Sequence, residues 1–151
     1  MNKMNKTMLC GIALAAAFLS GCSNAEYKPL DNSLYISGAA ADPLRIITVG
    51  DANSTTSILV RTAAPAKQTL TVNLAVQQSA LDAYNKRNDA NYELLPAEFY
   101  TLSATSLTIE QGKVSTPELT VTIKPFTEEL SKTGKKYAIP LSIVSVSGAD
   151  L

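Results

Sequence analysis

Apolar and polar residues alternate with a period of two along most of the chain. Thr69-Leu70-Thr71-Val72-Asn73-Leu74-Ala75-Val76 is the clearest stretch: Leu70, Val72, Leu74 and Val76 fall on one face and Thr69, Thr71, Asn73 and Ala75 on the other. That pattern predicts a half-buried strand. Leu119, Val121 and Ile123 alternate with Thr120 and Thr122, and Leu107 and Ile109 with Ser106 and Thr108. Shorter β-rich runs occupy 34–37, 44–49 and 56–61. A last run, 137–146, places Ile139, Leu141 and Ile143 on one face and then changes parity at Val144 and Val146. A bulge, or burial on both faces, accounts for the switch. Pro140 within it predicts an edge strand or a bulge, because proline cannot donate to a ladder.

Turn chemistry separates the runs. Gly50-Asp51-Ala52-Asn53-Ser54 and Gln111-Gly112-Lys113 read as hairpin-type connections. About seven short strands at this spacing predict an all-β fold, an Ig-like Greek-key β-sandwich. One helix interrupts it. Ser79-Ala80-Leu81-Asp82 matches a capping box, Leu81 and Tyr84 lie on one helical face, and Asn88-Asp89-Ala90-Asn91 is a stop. The helix is expected over about 80–88, crossing from one sheet to the other.

The first residues follow a different pattern. Lys3 and Lys6 precede an apolar run from Met8 to Leu19, broken in polarity only at Cys10 and Gly11. Its 12 residues are too short to span a bilayer, which takes about 20, and suit a secretory h-region. Leu19-Ser20-Gly21-Cys22 then resembles the lipobox of bacterial lipoprotein signal peptides. The resemblance implies cleavage before Cys22, a thioether-linked diacylglycerol on its thiol and an acyl chain on its new amino group. Several acyl chains anchor a protein stably where one does not. The alternative is an ordinary cleaved signal, or an N-terminal helix with a chance cysteine. The expected organisation is a signal peptide over 1–21, a polar tether over 22–32 and a sandwich over 33–151. The expected address is the outer membrane, lipid-anchored, at the cell surface.

Composition narrows the chemistry. Cleavage after Gly21 removes Lys3 and Lys6, so 13 basic residues become 11 against 13 acids, a net charge of −2. No basic stripe remains, which argues against a nucleic-acid partner. Cys10 leaves with the signal, and a lipidated Cys22 can form no disulfide and serve as no nucleophile. The chain has no histidine, so histidine triads, histidine bases and histidine–metal sites are excluded. Glu128-Glu129 is the adjacent carboxylate pair. Neighbours in sequence do not face each other across a sugar, so a solvated loop is the expected reading. Asp82, Asp89, Glu93 and Glu98 with Asn85, Asn88 and Asn91 make an oxygen-rich segment. It lacks EF-hand spacing, and asparagines there cap and turn. No catalytic residue, metal or cofactor is expected.

Glycan binding needs exposed aromatic faces and neighbouring hydrogen-bonding groups. The candidates are Tyr84, Asn85, Tyr92 and Tyr100, which recur around the helix. The competing reading is that these tyrosines pack the helix onto the sheets.

Residues 71–102, TVNLAVQQSALDAYNKRNDANYELLPAEFYTL, followed by SLTIEQGKVST and then KKYAIPLSIVSVSG, resemble one Bacteroidetes family, domain of unknown function 1735. The matching marks are Tyr84-Asn85, Tyr92, Leu95-Pro96, Tyr100 and the late Tyr137-x-x-Pro140-Leu141. The resemblance runs from about Leu34 to the end of the chain. It implies an Ig-type sandwich at the N-terminus of a surface lipoprotein encoded with glycan-uptake systems, preceding glycan-binding or glycoside hydrolase domains. It also implies a strand after Ser-Val-Ser-Gly. The sequence stops at Leu151, so the expectation is either a fragment or a sandwich lacking its closing strand.

The leading expectation is a non-catalytic, membrane-proximal spacer or accessory sandwich of a glycan-binding or glycan-uptake lipoprotein. Its partners would be the membrane, through Cys22, and polysaccharide or outer-membrane uptake components. The rivals are a glycan-binding module in its own right, the N-terminal piece of a glycoside hydrolase lipoprotein, and a subunit closed by a partner's strand.

Overall fold

The structure is a computed structural model, and it describes residues 33–39 and 42–148. Cys22, the signal peptide and the tether lie outside the described residues.

Among the described residues ten strands and two helices follow one another: β1 (Leu34–Ile36), β2 (Ser54–Ile58), β3 (Val60–Thr62), β4 (Leu70–Val76), α1 (Gln78–Asn88), β5 (Glu93–Leu94), β6 (Tyr100–Leu102), β7 (Ser106–Ile109), β8 (Leu119–Ile123), α2 (Glu128–Lys132), β9 (Tyr137–Ala138) and β10 (Leu141–Ser147). A 3₁₀ turn, Ala97–Phe99, leads into β6.

One sheet has the order β10-β4-β7 and another β2-β8-β6. β3 continues β2 past Leu59. It pairs with β1 on one side and on the other with the residues before β8, through an Arg61–Ser115 bridge. Thr62 N–H donates to the Val114 carbonyl (2.9 Å) and Thr116 N–H to that of Val60 (3.0 Å). The second sheet therefore reads β1–β2/β3–β8–β6. From β3 onward, every link between these main strands passes from one sheet to the other. The fold is an all-β sandwich, as the alternation predicts.

The inner faces are the predicted ones. Leu70, Val72 and Leu74 from β4, Leu107 and Ile109 from β7, and Leu119, Val121 and Ile123 from β8 join Val60 in one buried cluster. The intervening threonines point outward because side chains alternate across a pleated strand. Each buried aliphatic side chain contributes about 1.5–3 kcal/mol relative to exposure.

Several expectations change. Residues 44–49 form no strand. Their alternation is real, since Ile47 and Val49 pack against the core, but side chains make the link to β2. Arg45 Nη1 donates to Thr56 Oγ1 (2.9 Å) and to the Ser57 carbonyl (2.7 Å), and Ser54 Oγ donates to the Thr48 carbonyl. β6 lies where no run is predicted, because three residues are too few to show a period. Gln111-Gly112-Lys113 is a turn, with Gly112 at φ +79°, yet it joins strands of different sheets and is no hairpin. Gly50–Ser54 links residues 44–49 to β2 without a ladder between them.

The helix starts earlier than the capping box predicts. α1 begins at Gln78 with extended Gln77 before it and no side-chain cap, so Ser79 lies inside the helix. Asp82 accepts from Gln78 Nε2 instead (2.8 Å). The stop is as expected, with Asp89 in the left-handed region (φ 49°). The helix does carry the chain from β4 in one sheet toward β6 in the other. Parity in β10 breaks through a bulge between Ile143 and Ser145, leaving Val144 44% exposed. Pro140 sits just before this edge strand, where its carbonyl accepts from Gln77 N–H (2.8 Å).

Candidate functional site

The candidate residues depend on how α1 returns the chain. Asn85 points off the helix at Tyr92. Its Nδ2 donates to the Tyr92 carbonyl (2.8 Å) and its Oδ1 accepts from the Tyr92 N–H (3.1 Å). The side-chain amide thus imitates a strand partner for one residue. Beyond Tyr92, β5 runs parallel to β9, and Leu95 N–H donates to the Ala138 carbonyl (2.9 Å). This clasp sets the Tyr92 ring against Tyr84 edge to face, centroids 6.0 Å apart and planes at 62°.

Tyr84, Asn85 and Tyr92 therefore come together, half-buried. Tyr100 does not join them. It pairs in register with inner-facing Ile123 and packs against the core. Asn88 is also committed, its Nδ2 donating to the Tyr84 carbonyl (2.9 Å).

Both tyrosines line a cleft of about 970 Å³. Its walls come from β1, residues 42–49 and β2 on one side and from α1 and residues 135–141 on the other. Most of the lining is aliphatic: Ile47, Val49, Ile58, Ile139 and Leu141 among them. Arg45, Lys135 and Lys136 supply cations and Asp42 an acid, which accepts from Leu44 N–H (2.9 Å). Lys135 is held by Glu93 at 2.9 Å, and that hydrogen bond and charge raise its pKa above the usual lysine value. Tyr137 and Phe126 also line the cleft and stack edge to face at 5.9 Å. Sequence reasoning did not select Arg45, Lys136 or Tyr137 as site residues. Arg45 and Tyr137 are 92 positions apart, and no local pattern unites them.

Glu128 and Glu129 lie on α2, a five-residue helix where a loop is expected. Thr127 caps it by accepting from Leu130 N–H (3.3 Å), and the exposed Glu128 pairs with Lys132. Neither carboxylate lines the cleft. Among the described residues no cluster of three or more His, Cys, Asp or Glu is placed to hold a metal ion. No described helix is long and apolar enough to cross a membrane.

A family model described as a "-like, N-terminal domain" matches residues 27–150. A multidomain protein from Bacteroides ovatus that includes domain of unknown function 1735 shares the fold, with 15% identity, 64% of this chain and 33% of that chain covered, and a TM-score of 0.52. The chain belongs to this family of N-terminal domains, and the fold shared with the multidomain protein agrees with the resemblance to domain of unknown function 1735. A Bacteroides ovatus protein provisionally designated carbohydrate-binding matches at 24% identity and TM-score 0.57, over 68% of this chain and 29% of that one. Another of unknown function from the same organism matches at 14% identity and TM-score 0.54, over 74% and 40%. These likenesses are of fold, and the chain spans well under half the length of each structure. No curated protein matches the chain.

Proposed function

We propose that this domain is the membrane-proximal, lipid-anchored sandwich of a glycan-handling surface protein, and that it acts as a spacer and accessory module rather than as an enzyme. The observation that carries the reading is how the candidate polar groups are used. Asn85 is taken up by the Tyr92 backbone, Asn88 by the Tyr84 carbonyl, and Tyr100 by the core. Groups already bonded within the fold have little left for a ligand. The anchor follows from Leu19-Ser20-Gly21-Cys22, with residues 22–32 as a short tether. In this reading the domain sits on the outer membrane, at the cell surface, and holds neighbouring glycan-binding or uptake components off the bilayer. Family membership as an N-terminal domain supports it.

The test is membrane partition of the full-length protein and of Cys22→Ala. Wild type is expected in the membrane fraction and the variant in the soluble one. A variant that stays wholly membrane-bound would refute the anchor.

Tyr84 and Tyr92 on the cleft favour a second reading, direct glycan binding. The carbohydrate-binding designation of one fold relative supports it. Affinity electrophoresis through host and plant polysaccharides separates the two readings. Retardation that Tyr92→Ala abolishes would favour binding, and no retardation on any polymer would favour the spacer.

A further inference from the structure

Polarity is layered through the cleft. Its floor is core: Leu81, Leu95, Val121 and Ile123 are buried and still line it. Above the floor stand half-buried aliphatic walls, with Ile47, Val49 and Ile58 on one side and Ile139 and Leu141 on the other. Arg45, Lys135 and Lys136 are exposed at the rim, with Asp42 the acid among the described lining residues. Three cations beside one acid run against the sign of the mature chain, whose net charge is −2.

Two of these cations are not neutralised within the fold. Arg45 Nη1 donates to Thr56 Oγ1 (2.9 Å) and to the Ser57 carbonyl (2.7 Å). Those bonds hold the guanidinium in place and leave its remaining N–H donors for another partner. Among the described residues the ion pairs are Lys132–Glu128 and Lys135–Glu93, so Arg45 and Lys136 have no acid partner. Asp42 is engaged by the Leu44 N–H. The aliphatic walls offer a sugar neither a ring face nor a hydrogen bond, and Tyr84 and Tyr92 turn edge to face toward each other. An opening of about 970 Å³ with apolar walls and a few fixed polar groups has the form of a small-molecule site.

We propose that the cleft binds a single-chain organic acid, with its alkyl chain between the aliphatic walls and its carboxylate at the rim against Arg45 and Lys136. Each half of such a ligand matches what it meets. Burying the chain removes apolar surface from water on both partners, and the carboxylate takes charge-assisted hydrogen bonds from the cations. Topology favours an acid free in solution over a bilayer lipid. The Ser33 carbonyl accepts from Ala63 N–H (3.2 Å), so the chain enters the sandwich beside the 63–69 loop. The cleft opens at the other end, where β4 gives way to α1 and β10 begins. A membrane tether therefore approaches the end remote from the cleft. The anchor bears only on the source of the acid, and the match of cleft to ligand stands without the spacer or the glycan reading.

Photocrosslinking of the full-length protein in phosphatidylcholine vesicles tests it. A dodecanoic acid carrying a diazirine on its chain is expected to label Ile47, Ile139 and Leu141, mapped by mass spectrometry. Unlabelled dodecanoate should halve that labelling at about a tenfold lower concentration than dodecanol, as a charge-assisted bond implies, and dodecyltrimethylammonium should not compete. The advantage of the acid over the alcohol should shrink several-fold in Lys136→Gln, whose side chain has no partner in the fold to lose. An advantage unchanged in that variant, or label scattered over the surface, would overturn the proposal. So would label on these residues from a diazirine-bearing phosphatidylglycerol and none from the free acid, which would give the cleft to the bilayer. Competition by a polysaccharide and none by dodecanoate would give it to a sugar and overturn it equally.

Discussion

Along β7 and β8 the sandwich is sealed, with Ile109 and Leu119 each 0% exposed. Along β10 and residues 44–49, side chains of the same chemistry remain half-buried and Ile46 lies open. Both flanks have strands of alternating apolar residues, so composition does not separate them. The difference is neighbours. Among the described residues β7 has one strand partner, β4, just as β10 does, but Leu107 and Ile109 pack into the buried cluster with Val60, Ala66 and Leu119, whereas residues 44–49 near β10 form no ladder. Burial of an inner-face residue depends on what packs across from it, and without that cover even a well-patterned strand stays wet.

The contrast predicts unequal costs of truncation. Ile109→Ala should lower stability by about 3–4 kcal/mol, since it leaves a cavity in packed surroundings. Ile143→Ala on the open flank should cost about 1–2 kcal/mol when that flank is uncovered. Urea unfolding of both variants in the full-length protein measures the gap. Equal costs would show that the flank is closed, so the ratio reads the state of the cleft.

Gly148→Ala comes next, at about 2 kcal/mol, because it combines a positive φ with contact to the Thr69 carbonyl. The same change at Gly50, which has open space around it and no unusual φ, should be nearly silent. Equal melting shifts for the two would count against a constrained turn at the end of β10. Asn85→Ala should cost about 1–2 kcal/mol, through two lost bonds to the Tyr92 backbone. It should also speed exchange at the Tyr92 amide, while β7 and β8 stay protected. Exchange at Tyr92 unchanged in the variant would show that the asparagine does not hold that segment.

The smallest effect is electrostatic. Glu93→Gln removes the partner of Lys135, both about half exposed, and should shift the melting midpoint only slightly. The sign is set by the raised lysine pKa. The contribution is complete below the ordinary lysine value of 10.5 and fades as the pH rises through the higher folded-state value. Wild type and variant should therefore converge in thermal melts at strongly alkaline pH.

Sequence alone determined the strands whose faces are clean. β4, β7 and β8 follow from the period of two, and the change of parity at Val144 marked where β10 would be irregular, with a bulge as one of the two readings it allowed. The end of α1 was legible in its asparagines and Asp89. Each of these is local: a pleat, a turn or a left-handed residue depends on a few neighbours. Tertiary structure decided the rest. Residues 44–49 alternate like a strand, yet Arg45 binds them to β2 through its side chain. Tyr84, Tyr92 and Tyr100 look alike in sequence, but the Asn85 clasp brings two together while register with Ile123 sends the third to the core. The cleft itself joins residues from β1 to β10. No local pattern encodes it, because an opening is set by which segments face each other without packing together, and facing segments in a sandwich come from distant parts of the chain.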